Sequence, residues 1–228
     1  MQRLTASFLL KPVQMISQEV LQDNILTARQ ISKSYGRKSV LEKVDLSIRQ
    51  GRIYGITGEN GSGKTTLIKI LAGFMKPDTG YIIIKGKLGF CPQEPLVFNN
   101  LTVEENINFF CRAYGIPSVK KENIGSGYIS EIINHFGFSE YLGYVGNKLS
   151  GGTLQKLNLT LSLIHDPDIL LLDEPYSAFD WETYLKFWDY ALKLKHKGKT
   201  ILIVSHLLYD RQKIDEIWRI EKGQLVCE

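Results

Sequence analysis

Residues Gly58 to Thr65 read GENGSGKT, and the reading of this stretch decides the fold. It fits the pattern G-x-x-x-x-G-K-[ST], a loop whose backbone wraps phosphate. Glycines let the chain approach closely enough for its N–H groups to reach phosphate oxygens. Within this pattern Gly58, Glu59, Asn60, Gly61, Ser62 and Gly63 form the cradle, and Lys64 supplies a point charge to the β- and γ-phosphates. The Thr65 hydroxyl is suited to Mg2+, and Thr66, next on the helix, to an α-phosphate oxygen. The context agrees with that chemistry. Ile53-Tyr54-Gly55-Ile56-Thr57 is an apolar run of the kind found in a buried strand. Beyond the loop, Lys64 to Leu71 reads as a helix that stops at Gly73, with Pro77 after it.

A second chemical signal lies about a hundred residues on. Ile169-Leu170-Leu171-Leu172 is an apolar strand that ends in Asp173-Glu174-Pro175. A strand beside the phosphate loop would bring Asp173 to the Mg2+ shell, and Glu174 could orient and deprotonate an attacking water.

Around these two anchors the chain alternates strands and helices. Extended signals run from Ile25 to Tyr35 and over Val44 to Ile48, where apolar and polar residues alternate. Tyr81 to Ile84 and Leu88 to Cys91 read as short strands. From Thr102 to His135 the spacing becomes helical, through Val103, Ile107, Phe110 and Tyr114, then Ile129, Ile132, Ile133 and Phe136, with a loop at Gly125-Ser126-Gly127. A helix from about residue 152, the strand at 169–172, a helix from Glu182 to His196, a strand from Thr200 to Val204 and a hairpin around Lys222-Gly223 complete the pattern. This predicts an α/β fold with a mainly parallel sheet and a helical insertion.

Composition sets the outer limits. The 228 residues are 43% hydrophobic and 23% charged, with a formal net charge of +4. That charge is too mild to argue for nucleic acid as a partner. The basic run from Lys193 to Lys199 reads as a solvated helix end. Cys91, Cys111 and Cys227 lack the paired spacing of a disulfide framework or zinc site. No run approaches the roughly 20 apolar residues that span a bilayer. Residues 1–23 show no clear period and read as an extension ahead of one domain over 24–228.

The remaining signal is Leu149-Ser150-Gly151-Gly152, a glycine turn feeding a helix and hence a second anion site. With this element the chain resembles the nucleotide-binding subunit of ATP-binding cassette (ABC) transporters, from about residue 25 onward. The resemblance implies a P-loop NTPase core, an N-terminal antiparallel β-subdomain and an inserted helical subdomain at about 95–150. It also implies ATP and Mg2+ as cofactors. It assigns Tyr35 to stack on adenine, Gln93 to touch Mg2+ or the attacking water, and His206 to act near the γ-phosphate. Ser150, Gly151, Gly152 and Asp180 fall on the elements that reach an ATP held by a partner subunit.

The resemblance further implies a head-to-tail dimer, homo- or heteromeric, that sandwiches two ATPs and drives separate transmembrane permease subunits from the cytoplasmic face. The compact length and the run NLTVEENINFFCRAYG look most like cassettes of small prokaryotic exporters. A non-transport mechanical or regulatory ATPase of the same fold is the alternative. Three departures stand out. The stretch from Lys64 to Gln93 is short for the family. Thr153 replaces a usual Gln or Met, and Tyr176 and Phe179 replace a usual Thr and Leu near the partner loop.

Overall fold

The structure is a computed structural model that describes residues 23–118 and 127–228. Residues 1–22, where the extension is expected, and most of the expected Gly125–Gly127 loop lie outside the described residues.

Two sheets organise the chain. The first is antiparallel, in the order β2-β1-β4, built from β1 (Asn24–Tyr35), β2 (Lys38–Arg49) and β4 (Thr79–Ile84). The second has six strands in the order β5-β6-β7-β3-β8-β9. Its members are β3 (Ile53–Gly58), β5 (Leu88–Cys91), β6 (Ile169–Asp173), β7 (Thr200–Val204), β8 (Glu216–Glu221) and β9 (Gln224–Cys227). The neighbours from β5 through β8 run parallel, and β8 and β9 close as an antiparallel hairpin. The predicted class therefore holds: a P-loop α/β core with an antiparallel sheet at its N-terminal side.

Helices follow from local chemistry. α1 (Lys64–Leu71) buries Leu67, Ile68, Ile70 and Leu71 against the aliphatic residues of both sheets. α2 (Val103–Ala113) starts in a capping box, in which Thr102 accepts from the Glu105 N–H and Glu105 accepts from the Thr102 N–H. Such reciprocal caps satisfy two of the donors a helix start leaves open. α3 (Tyr128–Phe136) ends at Gly137 in the left-handed conformation, a common helix stop. α4 (Gly151–Leu163) and α5 (Trp181–His196) are capped by the side chains of Ser150 and Asp180. A second core packs α2–α5 on the other face of the parallel sheet.

Two details extend the sequence reading. β2 is a full 12-residue strand rather than the Val44–Ile48 piece. Its first half carries exposed residues on both faces, so apolar alternation is missing there. In the Lys193–Lys199 run, Lys193, Lys195, Lys197 and Lys199 each pair with an acid of the same chain; Lys193 and Lys197 are exposed, whereas the side chains of Lys195 and Lys199 are largely covered. Among the described residues no helix is long and apolar enough to cross a membrane.

Candidate functional site: a phosphate loop facing two strand-end carboxylates

β3 occupies the middle of the parallel sheet, between β7 and β8. The loop that leaves it must turn sharply into α1, and Gly63 makes the turn at φ +108°. A Cβ there would lie 2.9 Å from Val40 Cγ1 and 3.0 Å from the Val40 carbonyl. Only glycine fits both the dihedral and the space. No side chain caps the first turn of α1 and no acid sits in it, so the positive end of the helix is left to face the loop. Lys64 is buried and curls back, donating to the carbonyls of Gly58 and Glu59 at 2.8 and 3.0 Å.

β6 ends opposite this loop. Asp173 is 1% exposed, and neither of its carboxylate oxygens has a hydrogen-bond partner. Burial pushes its carboxyl up to about 6; the neighbouring Thr65 side chain pulls it down and Glu174 pushes it up further. A buried carboxylate with two open oxygens beside a hydroxyl is a donor set suited to a hard divalent cation. The described residues hold no cluster of three or more His, Cys, Asp and Glu side chains that would cage a metal alone. Such a site suits Mg2+ held partly by phosphate.

Glu174 takes φ +48°, uncommon for a residue with a side chain. Its N–H donates to the Val204 carbonyl at 2.8 Å, which fixes the turn. Its carboxylate accepts from the Ser205 hydroxyl and from the His206 N–H, both at 2.7 Å. The His206 Nδ1 lies 3.1 Å from the same carboxylate. The adjacency of β6 and β7 brings these groups together, and the left-handed turn at Glu174 aims its side chain at the loop after β7.

The result is one cleft of about 500 Å³, lined among others by Tyr35, Asn60, Lys64, Thr65, Gln93 and His206, with Glu174 on its wall. Gly61, Gly63 and Thr66 line it too. Gly58 and Glu59 form an adjoining pocket with Asn60 and His206, and the Ser62 hydroxyl is buried without a partner. Tyr35 is half-exposed, and its hydroxyl donates to Met75 Sδ at 3.2 Å.

Ser150, Gly151 and Gly152 do not line this cleft, and Asp180 lines an adjoining pocket that shares Glu174, Ser177 and His206 with it. Ser150 accepts from the Thr153 N–H at 3.2 Å, and its hydroxyl meets the Thr153 hydroxyl at 3.0 Å. Gly152 approaches the 177–180 loop so closely that a Cβ would sit 3.0 Å from the Ala178 carbonyl. The two segments named for a partner subunit therefore share one surface.

Sequence reasoning did not find what holds the loop after β7. The Tyr176 hydroxyl donates to the Leu207 carbonyl at 3.3 Å, and the Tyr184 hydroxyl donates to Asp210 at 2.6 Å. No local pattern signals these pairs, because the partners are 31 and 26 residues apart.

A phosphate loop, the Glu174 carboxylate and a histidine lining one cleft, with Asp173 buried beside Thr65, define a P-loop nucleotide hydrolase. The model of the ABC transporter family matches residues 41–177. The chain is 35% identical over 197 residues to an uncharacterized ABC transporter ATP-binding protein of Methanocaldococcus jannaschii, covering 86% of this chain and 74% of that protein. It is 30% identical over 217 residues to a probable multidrug ABC transporter ATP-binding protein of Escherichia coli, covering 90% of this chain but 37% of that protein. This chain thus spans well under half of the latter's length. Among solved structures, a dimeric post-hydrolysis ATP-binding cassette bound to ADP and Pi superposes with a TM-score of 0.79 at 25% identity, over 88% of this chain and 96% of that one. The chain belongs to the ABC transporter family, as an ATP-binding cassette with ATPase activity.

Proposed function

We propose that this chain is the ATP-hydrolysing motor of a membrane transporter, of the small prokaryotic exporter type. In this reading two cassettes, identical or related, dock head to tail around two ATPs. Separate transmembrane permease subunits recruit the pair to the cytoplasmic face of the membrane. The cassette spans 24–228 with its helical subdomain at about 95–150, and 1–23 is an extension. The observation that carries the dimer is the separation of two anion-binding features on one chain. Lys64, Thr65, Glu174 and His206 converge on one cleft, whereas the Ser150–Gly152 turn opens elsewhere.

ATP would stack its base on Tyr35 and lay its phosphates along Gly58–Thr66, with Lys64 turning from the loop carbonyls to the β- and γ-phosphates. Thr65, Asp173 and Gln93 would hold Mg2+, which supplies charge neutralisation at the phosphates. Glu174 would take a proton from water as the water oxygen bonds the γ-phosphorus and the bond to ADP breaks. His206 would bear on the γ-phosphate. Ser150, Gly151, Gly152 and Asp180 would complete the site of the partner. Phe98 and Phe109 are half-exposed and packed edge to face at 4.6 Å. With Leu101 and the Gln93 loop they would form the surface that receives the permease.

The test is Glu174→Gln in purified protein. Turnover should fall by about 100-fold or more, as expected for loss of a general base. At saturating Mg-ATP the variant should form a stable dimer in light scattering. Wild-type turnover, or a persistent monomer, would overturn the reading.

A further inference from the structure

The loop after β7 carries His206, and three separate ties fix it to one run of chain. Ser205 and the His206 N–H bond to Glu174. The Leu207 carbonyl accepts from the Tyr176 hydroxyl, and Asp210 accepts from the Tyr184 hydroxyl. These three anchors lie between 174 and 184, the turn and first helical turn that follow β6, while the Ser205 N–H ties the start of the loop to the Ile56 carbonyl of β3 at 3.0 Å. The two tyrosine rings meet edge to face, with centroids 5.2 Å apart, and both are largely buried. Phe187 backs Tyr176 at 5.4 Å, and Trp181 stacks on Tyr184 at 5.6 Å. Asp210 is held from the other side by Lys213 at 3.0 Å and Gln212 at 3.1 Å. The rings thus have little freedom, and each hydroxyl points at one place on the loop.

We propose that Tyr176 and Tyr184 are positioning residues for ATP hydrolysis: together they clamp the 205–210 loop to the 174–184 run, so that His206 and Glu174 keep one fixed spacing. This rests on the assignment of Glu174 and His206 to the hydrolytic site. It also gives Tyr176, one of the departures from the family pattern, a function. A hydroxyl that must reach a carbonyl beyond His206 needs the length of a tyrosine.

Rings and hydroxyls do separate jobs here, so phenylalanine is the discriminating substitution. Tyr176→Phe and Tyr184→Phe keep the packed ring and remove only the tie. Each should lower kcat by about tenfold, because small misplacements of reacting groups are costly, with KM for ATP unchanged. The melting temperature should fall by no more than the roughly 2–4 °C of one hydrogen bond. Asp210→Ala should match Tyr184→Phe in kcat, and the double variant should be no worse than either single. Wild-type kcat in both phenylalanine variants, or additive losses in the Tyr184–Asp210 pair, would overturn the clamp. Glu174→Gln measured alongside separates the two levels. If it retains turnover, the site assignment fails; if it is inactive while the phenylalanine variants are unimpaired, only the clamp fails. Should Tyr176→Phe not fold, the Tyr184–Asp210 cycle decides alone.

Discussion

The Ser205 hydroxyl donates to the Glu174 carboxylate at 2.7 Å, joining the end of β6 to the end of β7 inside the nucleotide cleft. Ser205 is 1% exposed, so water does not replace this bond when it is lost. Ser205→Ala leaves the His206 N–H as the remaining strong donor to Glu174. A hydrogen bond to a charged group contributes about 1.5–3 kcal/mol. Turnover should therefore fall about 10-fold, with KM for ATP unaltered, in a steady-state ATPase assay. An unchanged kcat would show that the carboxylate does not depend on this bond.

Asp173 places a carboxyl with no hydrogen-bond partner where it is 1% exposed, and burial has raised its pKa to about 6. At pH 7.5 the ionised form is a cost to the nucleotide-free fold. Asp173→Asn should therefore melt about 2–6 °C higher than wild type without nucleotide, given a few degrees per kcal/mol at this size. The same variant should lose the extra stabilisation that Mg2+ adds to ATP. Thermal melts with ATP plus EDTA and with Mg-ATP measure both effects. A lower melting point in the free protein would contradict the strain argument.

Much of this site is legible in the chain, for a physical reason. The phosphate loop and the Asp173-Glu174 pair are contiguous, and each needs particular residue types at adjacent positions. The Gly63 turn and the buried run of β6 announce themselves through the same local chemistry. Tyr176 shows the limit. It is visible as a departure from the family pattern, yet its partner Leu207 contributes only a backbone carbonyl, which any residue would supply. β2 shows a second limit: from Lys38 to Lys43 only Leu41 is fully buried, with Val40 packed beside it, so the ladder with β1 extends the strand where apolar alternation is too short to announce it.

Thr153 illustrates how a departure can be compensated. The Ser150 hydroxyl accepts from the Thr153 N–H and meets the Thr153 hydroxyl at 3.0 Å. When Thr153 donates, both Ser150 lone pairs are engaged and its own proton is free for a phosphate oxygen. Thr153→Val keeps the shape and removes that donor. ATP-driven dimerisation in the Glu174→Gln background should weaken about 5-fold, the effect of one hydrogen bond of about 1 kcal/mol. Trp181 offers an optical readout, because it is 72% exposed while Trp188 and Trp218 are buried. It stands next to Asp180, and closure of two cassettes should shift its emission to the blue. Equal dimer affinity with and without the Thr153 hydroxyl would remove it from the contact.

His165 provides a stability test far from the hydrolytic residues. Its Nε2 lies 2.9 Å from the Leu88 carbonyl, which can only accept, so that nitrogen carries the proton. Nδ1 is buried without a partner, and the Tyr114 ring stacks on the imidazole at 4.2 Å. Protonation would bury an N–H with no acceptor. Burial foremost, with help from the Lys87 charge, holds the pKa below the usual 6.5, against the Leu88 carbonyl, which raises it. The sign follows. The folded state binds fewer protons than the unfolded one just below pH 6.5, so stability is full above that value. It is lost as pH falls through the depressed folded pKa. His165→Gln retains a donor for Leu88 and cannot take up the proton. Asp173 contributes an opposite slope in the same range, since its raised pKa favours the fold at low pH. The quantity to follow is therefore the melting-temperature difference between wild type and His165→Gln from pH 8 to pH 5, in which the Asp173 term cancels. That difference should move against wild type below about pH 6.5; parallel curves would mean that Nδ1 reaches water.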